Sequence, residues 1–115
     1  MYKWGDGSYY RGNWENNLIN GFGKYIWENG KAYEGQWKNG KMHGKGLHIW
    51  EDGRKYQGEY LSDKKHGYGK YYWPDGKIFE GTWVNGKREG QGLITFANGE
   101  SKVGEWKNDQ RIRWV

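Results

Sequence analysis

The stretch that decides the fold is "YEGQWKNGKMHGKG", residues 33–46. Its glycines suit a linker, a phosphate-cradling loop or a strand that keeps glycine for a purpose, and the rest of the chain selects among these. Tyr10, Tyr33, Tyr56 and Phe79 stand 23 residues apart, heading "YRGNW", "YEGQW", "YQGEY" and "FEGTW", and "KVGEW" at 102–106 continues the series. Gly-x-Gly recurs in phase at Gly21/Gly23, Gly44/Gly46, Gly67/Gly69 and Gly90/Gly92. An aromatic then leads into "WGDG", "WENG", "WEDG", "WPDG" and "FANG". Eighteen of the 21 glycines occupy these phased slots, and Gly40 and Gly86 share a fourth, after Asn. Linkers are not phased, so the stretch is one unit of a repeat.

Composition fits a repeat with a thin aromatic core. Leu, Ile, Val and Phe number only 16 of 115 residues, and the mean hydropathy is −1.27, values that point toward disorder. Nine Trp and ten Tyr offset them; each buried ring removes about 150–250 Å² from water. The absence of Cys excludes a disulfide framework and a thiolate metal site and favours a reducing compartment. No apolar run approaches the roughly 20 residues of a membrane-spanning helix, and "MYKWGDG" lacks a signal-peptide pattern, so a cytoplasmic chain is expected. A net charge of +5 is compatible with anionic partners.

Tyr-x-Gly-x-Trp alternates with period two, and each unit reads as two short strands. Asn16-Asn17, Asn39-Gly40, Ser62-Asp63, Asn85-Gly86 and Asn108-Asp109 suit two-residue hairpin turns with positive φ. Because 23 is odd, two such turns per unit would invert the aromatic face at every repeat. A three-residue loop closed by a left-handed glycine at the other end restores it, pairing Tyr25 with Tyr33 and Gly23 with Gly35. Gly7, Gly30, Gly53, Gly76 and Gly99 are therefore expected at positive φ. The two-residue turns are expected to pair Gly12 with Gly21.

The register predicts an all-β, elongated, single-layer antiparallel meander of about nine or ten strands, roughly 45 Å long at about 4.8 Å per strand, twisted into an open trough. One face carries Tyr33, Gly35, Trp37, Met42, Gly44, Gly46, His48 and Trp50; the other is mostly polar. Strand glycines Gly12, Gly35, Gly58 and Gly81 are kept bare for rings, with Tyr33 expected over the Gly23 column. The organisation is a half unit over 1–9, units at 10–32, 33–55, 56–78 and 79–101, and a partial unit or cap over 102–115.

Enzyme readings are weak. His43 and His66 occupy one slot two strands apart, about 9–10 Å at the backbone, too far for a shared metal ion. Gly44-Lys45-Gly46 lacks the helix that a phosphate loop needs. Glu34, Glu59, Glu80 and Glu105 read as a solvated ion-pair ladder. No catalytic residue, metal ligand or cofactor is assigned. Nucleic acid is not expected, since the phased rings already have a structural use.

The unit Tyr-x-Gly-x-Trp-x-Asn-Gly-Lys-x-His-Gly-x-Gly, followed by an aromatic and Asp-Gly, resembles the MORN (membrane occupation and recognition nexus) repeat over residues 4 to about 109. Tyr60, Phe96, Asn17 and Asn20 depart from the pattern, and after Asp109 the glycine slots fall on Arg113 and Val115. The resemblance implies a non-catalytic scaffold that binds protein partners or self-associates at membranes, cilia or the cytoskeleton. The expected partner surface is the aromatic face, with Tyr10, Trp14, Tyr33, Trp37, Tyr56, Tyr60, Phe79 and Trp83. A basic edge of Lys41, Lys64, Lys65, Lys87, Arg88 and Arg111 is the alternative, contacting anionic phospholipid or an acidic partner. Self-association through the end strands is a third reading.

Overall fold

Alternation of apolar and polar residues, broken at fixed intervals by turn pairs, leaves each segment no partner but its neighbours. A computed structural model, describing residues 2–115, shows the result. Eleven strands run β1 (Tyr2–Lys3), β2 (Tyr9–Glu15), β3 (Leu18–Ile26), β4 (Ala32–Lys38), β5 (Lys41–Ile49), β6 (Lys55–Leu61), β7 (Lys64–Tyr72), β8 (Ile78–Val84), β9 (Lys87–Thr95), β10 (Ser101–Lys107) and β11 (Gln110–Trp114). They form one sheet in sequential order, every described pairing antiparallel, and the molecule measures 47 × 25 × 18 Å. The count exceeds the expected nine or ten because β1 and β11, at the two ends, also pair.

Both turn types have the chemistry their residues dictate. At the two-residue turns, both residues lie at positive φ, as at Asn39 (50°) and Gly40 (81°), or Ser62 (48°) and Asp63 (71°). At the other end Trp27 and Lys31 close a three-residue loop, the Gly30 N–H donating to the Trp27 carbonyl at 3.0 Å. The second loop residue adds an Asx turn: Asn29 Oδ1 accepts the Lys31 N–H at 2.9 Å, and Asp75 does the same for Lys77. Gly30 has φ +93° with no heavy atom within 4 Å of an added Cβ. Gly30→Ala should therefore show backbone strain alone, lowering stability by about 1 kcal/mol in urea unfolding.

Between the turns the pairing differs from expectation. Gly12 faces Gly23, not Gly21, because Asn13 alone stands against Asn20, Gly21 and Phe22 before Trp14 meets Ile19. The same wide bulge recurs opposite Gln36 and Glu59. Its glycine adopts positive φ, as at Gly44 (70°) and Gly67 (96°). The N–H that the bulge frees is taken by the opposing side chain: Lys45 N–H donates to Gln36 Oε1 at 3.0 Å, and Tyr68 N–H to Glu59 Oε2 at 3.1 Å. Glu59 is thus occupied by backbone rather than by the expected ion-pair ladder, while Glu80 pairs with Lys70 at 3.3 Å.

The shift of two residues aligns one glycine per strand into a row crossing the sheet: Gly12, Gly23, Gly35, Gly46, Gly58, Gly69, Gly81, Gly92 and Gly104. Rings lie flat upon it. A Cβ on Gly46 would stand 2.2 Å from Tyr33 Oη, and one on Gly69 would stand 2.2 Å from Tyr56 Oη. Tyr33 therefore covers the glycine of its own hairpin partner, Gly46, and not Gly23, which lies under Tyr10. Each hydroxyl reaches past the row to a carbonyl of its own strand, Tyr33 to Gln36 at 3.1 Å and Tyr56 to Glu59 at 2.9 Å.

Candidate functional site

Seven of the eight rings expected to line an open surface are core. Tyr10, Tyr33, Tyr56 and Phe79 are fully buried, Trp37, Tyr60 and Trp83 nearly so, and only Trp14 is exposed, at 43%. A single layer can bury them because they bed against one another edge to face rather than against a second layer. Tyr33 meets Trp37 and Tyr60, Tyr56 meets Tyr60 and Trp83, and Phe79 meets Trp83 and Trp106, all at centroid separations of 4.8–5.5 Å with near-perpendicular planes. Trp37 Nε1 donates to the Gly23 carbonyl at 3.0 Å and Trp83 Nε1 to that of Gly69 at 3.3 Å, fixing the indoles over the preceding strand. Burial pushes the Tyr33 hydroxyl up to about 12, and raises Tyr56 and Tyr60 as well.

What the aromatic face offers to solvent is a second row, half-buried, at the loop ends: Trp4, Trp27, Trp50, Trp73 and Phe96. Three of these carry a cation four residues on. Lys31 Nζ lies 4.5 Å from the Trp27 centroid, Arg54 Cζ 5.4 Å from that of Trp50, and Lys77 Nζ 4.6 Å from that of Trp73. The cations are held by the same three-residue loops that set the face. The aromatic-to-cation spacing Trp27/Lys31, Trp50/Arg54 and Trp73/Lys77 is the sequence signal that marks this row.

The basic edge divides. Lys41, Lys64 and Lys87 are exposed beside their turns. Lys65 and Arg88 are not on that edge, because they occupy the slot of the buried Ile19 and Met42 and turn onto the aromatic face. Lys65 Nζ stands 5.3–5.7 Å from the centroids of Trp50, Tyr56, Tyr71 and Trp83. Desolvation lowers its pKa, offset in part by Asp109. Arg88 stacks near Trp73, Phe79 and Trp106 and binds the Asp109 carboxylate at 2.7 Å. Asp109 and Asp63 also clasp adjacent hairpins: Asp63 donates its N–H to the Met42 carbonyl and accepts the Met42 N–H at 2.8 Å. Arg111, exposed, lies 4.1 Å over Trp114.

His48 is a neutral polar side chain buried in this layer, 5% exposed. Its ring is stacked between Trp27 and Trp50, at 5.7 and 4.1 Å, and Nδ1 shares a 2.8 Å hydrogen bond with the Tyr60 hydroxyl. Burial, with Lys31 and Lys65 nearby, lowers its pKa to about 3, so it is neutral at physiological pH.

At the C-terminal end Gly104 faces Trp114, one residue short of the pattern that pairs Gly81 with Gly92. That changed bulge sets the Trp114 ring 6.4 Å from those of Trp106 and Phe96, beside Gly104, where Lys102 replaces the usual Tyr or Phe.

A one-layer sheet of hairpin repeats with a self-packed aromatic core and a stacked cationic rim is a structural repeat array with a built surface. The MORN repeat model matches residues 10–32, 33–53, 56–78, 79–101 and 103–111. The chain belongs to the MORN repeat family, a family of repeat scaffolds that is generally non-catalytic and generally associated with protein or membrane binding. A search of curated proteins returned no match.

Proposed function

We propose that the chain is a non-catalytic scaffold that holds a protein segment on its aromatic face, along the rim formed by Trp27, Trp50 and Trp73 with Lys31, Arg54 and Lys77. The carrying observation is that these indoles are half-buried and each is overlaid by a cation from its own loop. Such a pair presents apolar surface and positive charge together, which suits a segment carrying both carboxylates and apolar side chains. The buried rings beneath are the rigid base of this surface and contribute to binding by holding the rim in place.

Affinity capture from the source cell, followed by titration of the captured partner, tests the assignment. Arg54→Glu with Lys77→Glu changes half-buried groups at the loop ends, and loss of the Arg54–Asp52 ion pair should lower thermal stability only modestly while circular dichroism stays that of the parent. Affinity should fall at least tenfold, and unchanged affinity would overturn the reading.

A second reading rests on Lys41, Lys64 and Lys87, which stand exposed along one edge and make no ion pair among the described residues. Contact with an anionic membrane through this edge would survive the double substitution above. It predicts sedimentation with phosphoinositide vesicles at low salt that disappears as salt is raised.

A further inference from the structure

From the second hairpin onward, the second residue of each two-residue turn docks on the return strand of the hairpin before it. Gly40 donates its N–H to the Ile19 carbonyl, Asp63 to that of Met42, Gly86 to that of Lys65 and Asp109 to that of Arg88, at 2.8–3.0 Å. Where this residue is Asp, its carboxylate returns to the same strand. Asp63 Oδ1 accepts the Met42 N–H at 2.8 Å, and Asp109 Oδ1 accepts both the Arg88 backbone N–H, at 3.2 Å, and Arg88 Nε–H, at 2.7 Å. In the Arg88 junction a cation on the aromatic face is thus closed by a carboxylate from the next hairpin.

The Lys65 junction has the cation without the carboxylate. Lys65 Nζ stands among Trp50, Tyr56, Tyr71 and Trp83 and makes no ion pair among the described residues. Rings offset the charge but are poor acceptors for the three N–H groups of an ammonium, and burial disfavours the charged form. The turn residue that faces Lys65 is Gly86, at φ +85°, with no heavy atom within 4 Å of an added Cβ. The place that the Asp109 side chain fills in the next junction is therefore open here. Gly40 holds the same turn position beside Ile19, where there is no charge to satisfy.

From this we infer that the notch between Lys65 and Gly86 is a receptor for a carboxylate, supplied by an aspartate or glutamate side chain of a partner protein. The incoming carboxylate takes the place that Asp109 holds against Arg88, accepting from the Lys65 backbone N–H and from Nζ. The rings beneath exclude water from one side of the pair, which strengthens it relative to an ion pair at a free surface lysine. The inference rests on the reading that the aromatic face holds an acidic segment, and it assigns that segment's anchoring group. Selection follows from the same geometry, because a neutral amide in the notch leaves the ammonium without a counter-charge.

The test uses the full chain and two small probes, N-acetyl-aspartate N′-methylamide and its asparagine counterpart, followed by NMR at the Lys65 amide and Cε. The aspartate probe should give saturable shifts at Lys65 and Gly86, and the asparagine probe should bind at least tenfold more weakly. Lys65→Met, which installs the residue found in this slot at Met42, should keep the fold with thermal stability unchanged or higher and lose the aspartate response. Gly86→Asp supplies the carboxylate from within the chain, at a turn position where Asp63 and Asp109 already hold φ of 71° and 70°. It should raise the unfolding temperature, reproduce the Lys65 Cε shift seen at saturation and block the probe. Absence of saturable shifts, equal binding of the two probes, or an undiminished response in Gly86→Asp would each overturn the proposal. So would the same Lys65 shifts on concentrating the protein alone, which would make a second copy the donor. No captured partner enters this test, so its failure leaves the rim assignment standing, and failure of the rim substitutions leaves the probe result to decide the notch.

Discussion

Gly46→Ala should unfold the protein or lower its stability by about 3 kcal/mol or more, well beyond the loss from the same substitution at Gly30. The added carbon would stand 2.2 Å from Tyr33 Oη and 2.3 Å from Cζ. Tyr33 is fully buried and packed edge-on by Trp37 and Tyr60, and its hydroxyl is tied to the Gln36 carbonyl. The ring has nowhere to go, so the strands must part. Overpacking typically costs about 1–3 kcal/mol where neighbours can relax, and here relaxation would break the hairpin as well. Against a stability of about 5–15 kcal/mol for a domain of this size, that is a large fraction. Chemical unfolding of Gly46→Ala beside Gly30→Ala separates steric cost from backbone cost. Equal, small losses would show that the rings do not fix the sheet.

Acidification is expected to be the second large effect. His48 binds a proton readily when unfolded, with pKa about 6.5, but only near 3 when folded. Because the folded pKa is depressed, its neutral form is matched to the fold above pH 6.5, and stability falls as pH drops below that value toward 3. Each pH unit in that window costs about 1.4 kcal/mol, so moving from pH 6.5 to 4.5 should cost about 2–3 kcal/mol. Asp6, held below the usual carboxylate range by hydrogen bonds from Ser8, and Asp52, similarly held by the Arg54 backbone N–H, begin to contribute only near and below about pH 4. His48→Tyr, the residue found in this slot at Tyr25 and Tyr71, should flatten the profile between pH 4.5 and 6.5 in urea titrations. A slope unchanged by that substitution would place the acid sensitivity elsewhere.

The turns and faces were legible because their determinants are local. A pair such as Asn39-Gly40 states its own φ, and the odd repeat length fixes which loop must hold a left-handed glycine. The bulge was hidden from the same parity reasoning. A slip of two residues leaves every side chain on its original face, so Gly12 against Gly23 and Gly12 against Gly21 are indistinguishable by alternation. The placement of Lys65 and Arg88 was in principle readable: the register that sets Met42 beside Trp37 sets Lys65 beside Tyr60. Their charge suggested an edge, whereas four rings can hold an ammonium without a carboxylate. The burial of Tyr33 and Tyr56 was misjudged for a related reason. Counting the two faces of a single sheet predicts exposed rings, but edge-to-face packing along the row makes the aromatic layer its own cover.

The loops that carry Lys31, Arg54 and Lys77 also set a scale. Equivalent positions recur every two strands, about 9–10 Å apart at a strand spacing of about 4.8 Å. A segment in the polyproline II conformation rises about 3.1 Å per residue with three residues per turn, so every third side chain returns to the same face after one graduation. A ligand lying along this ruler keeps step if its acidic groups come every third residue, and drifts out of phase after one or two units if they come every second or fourth. On the proposed reading the array would measure periodicity as well as charge, and longer arrays of the same pitch would discriminate more sharply.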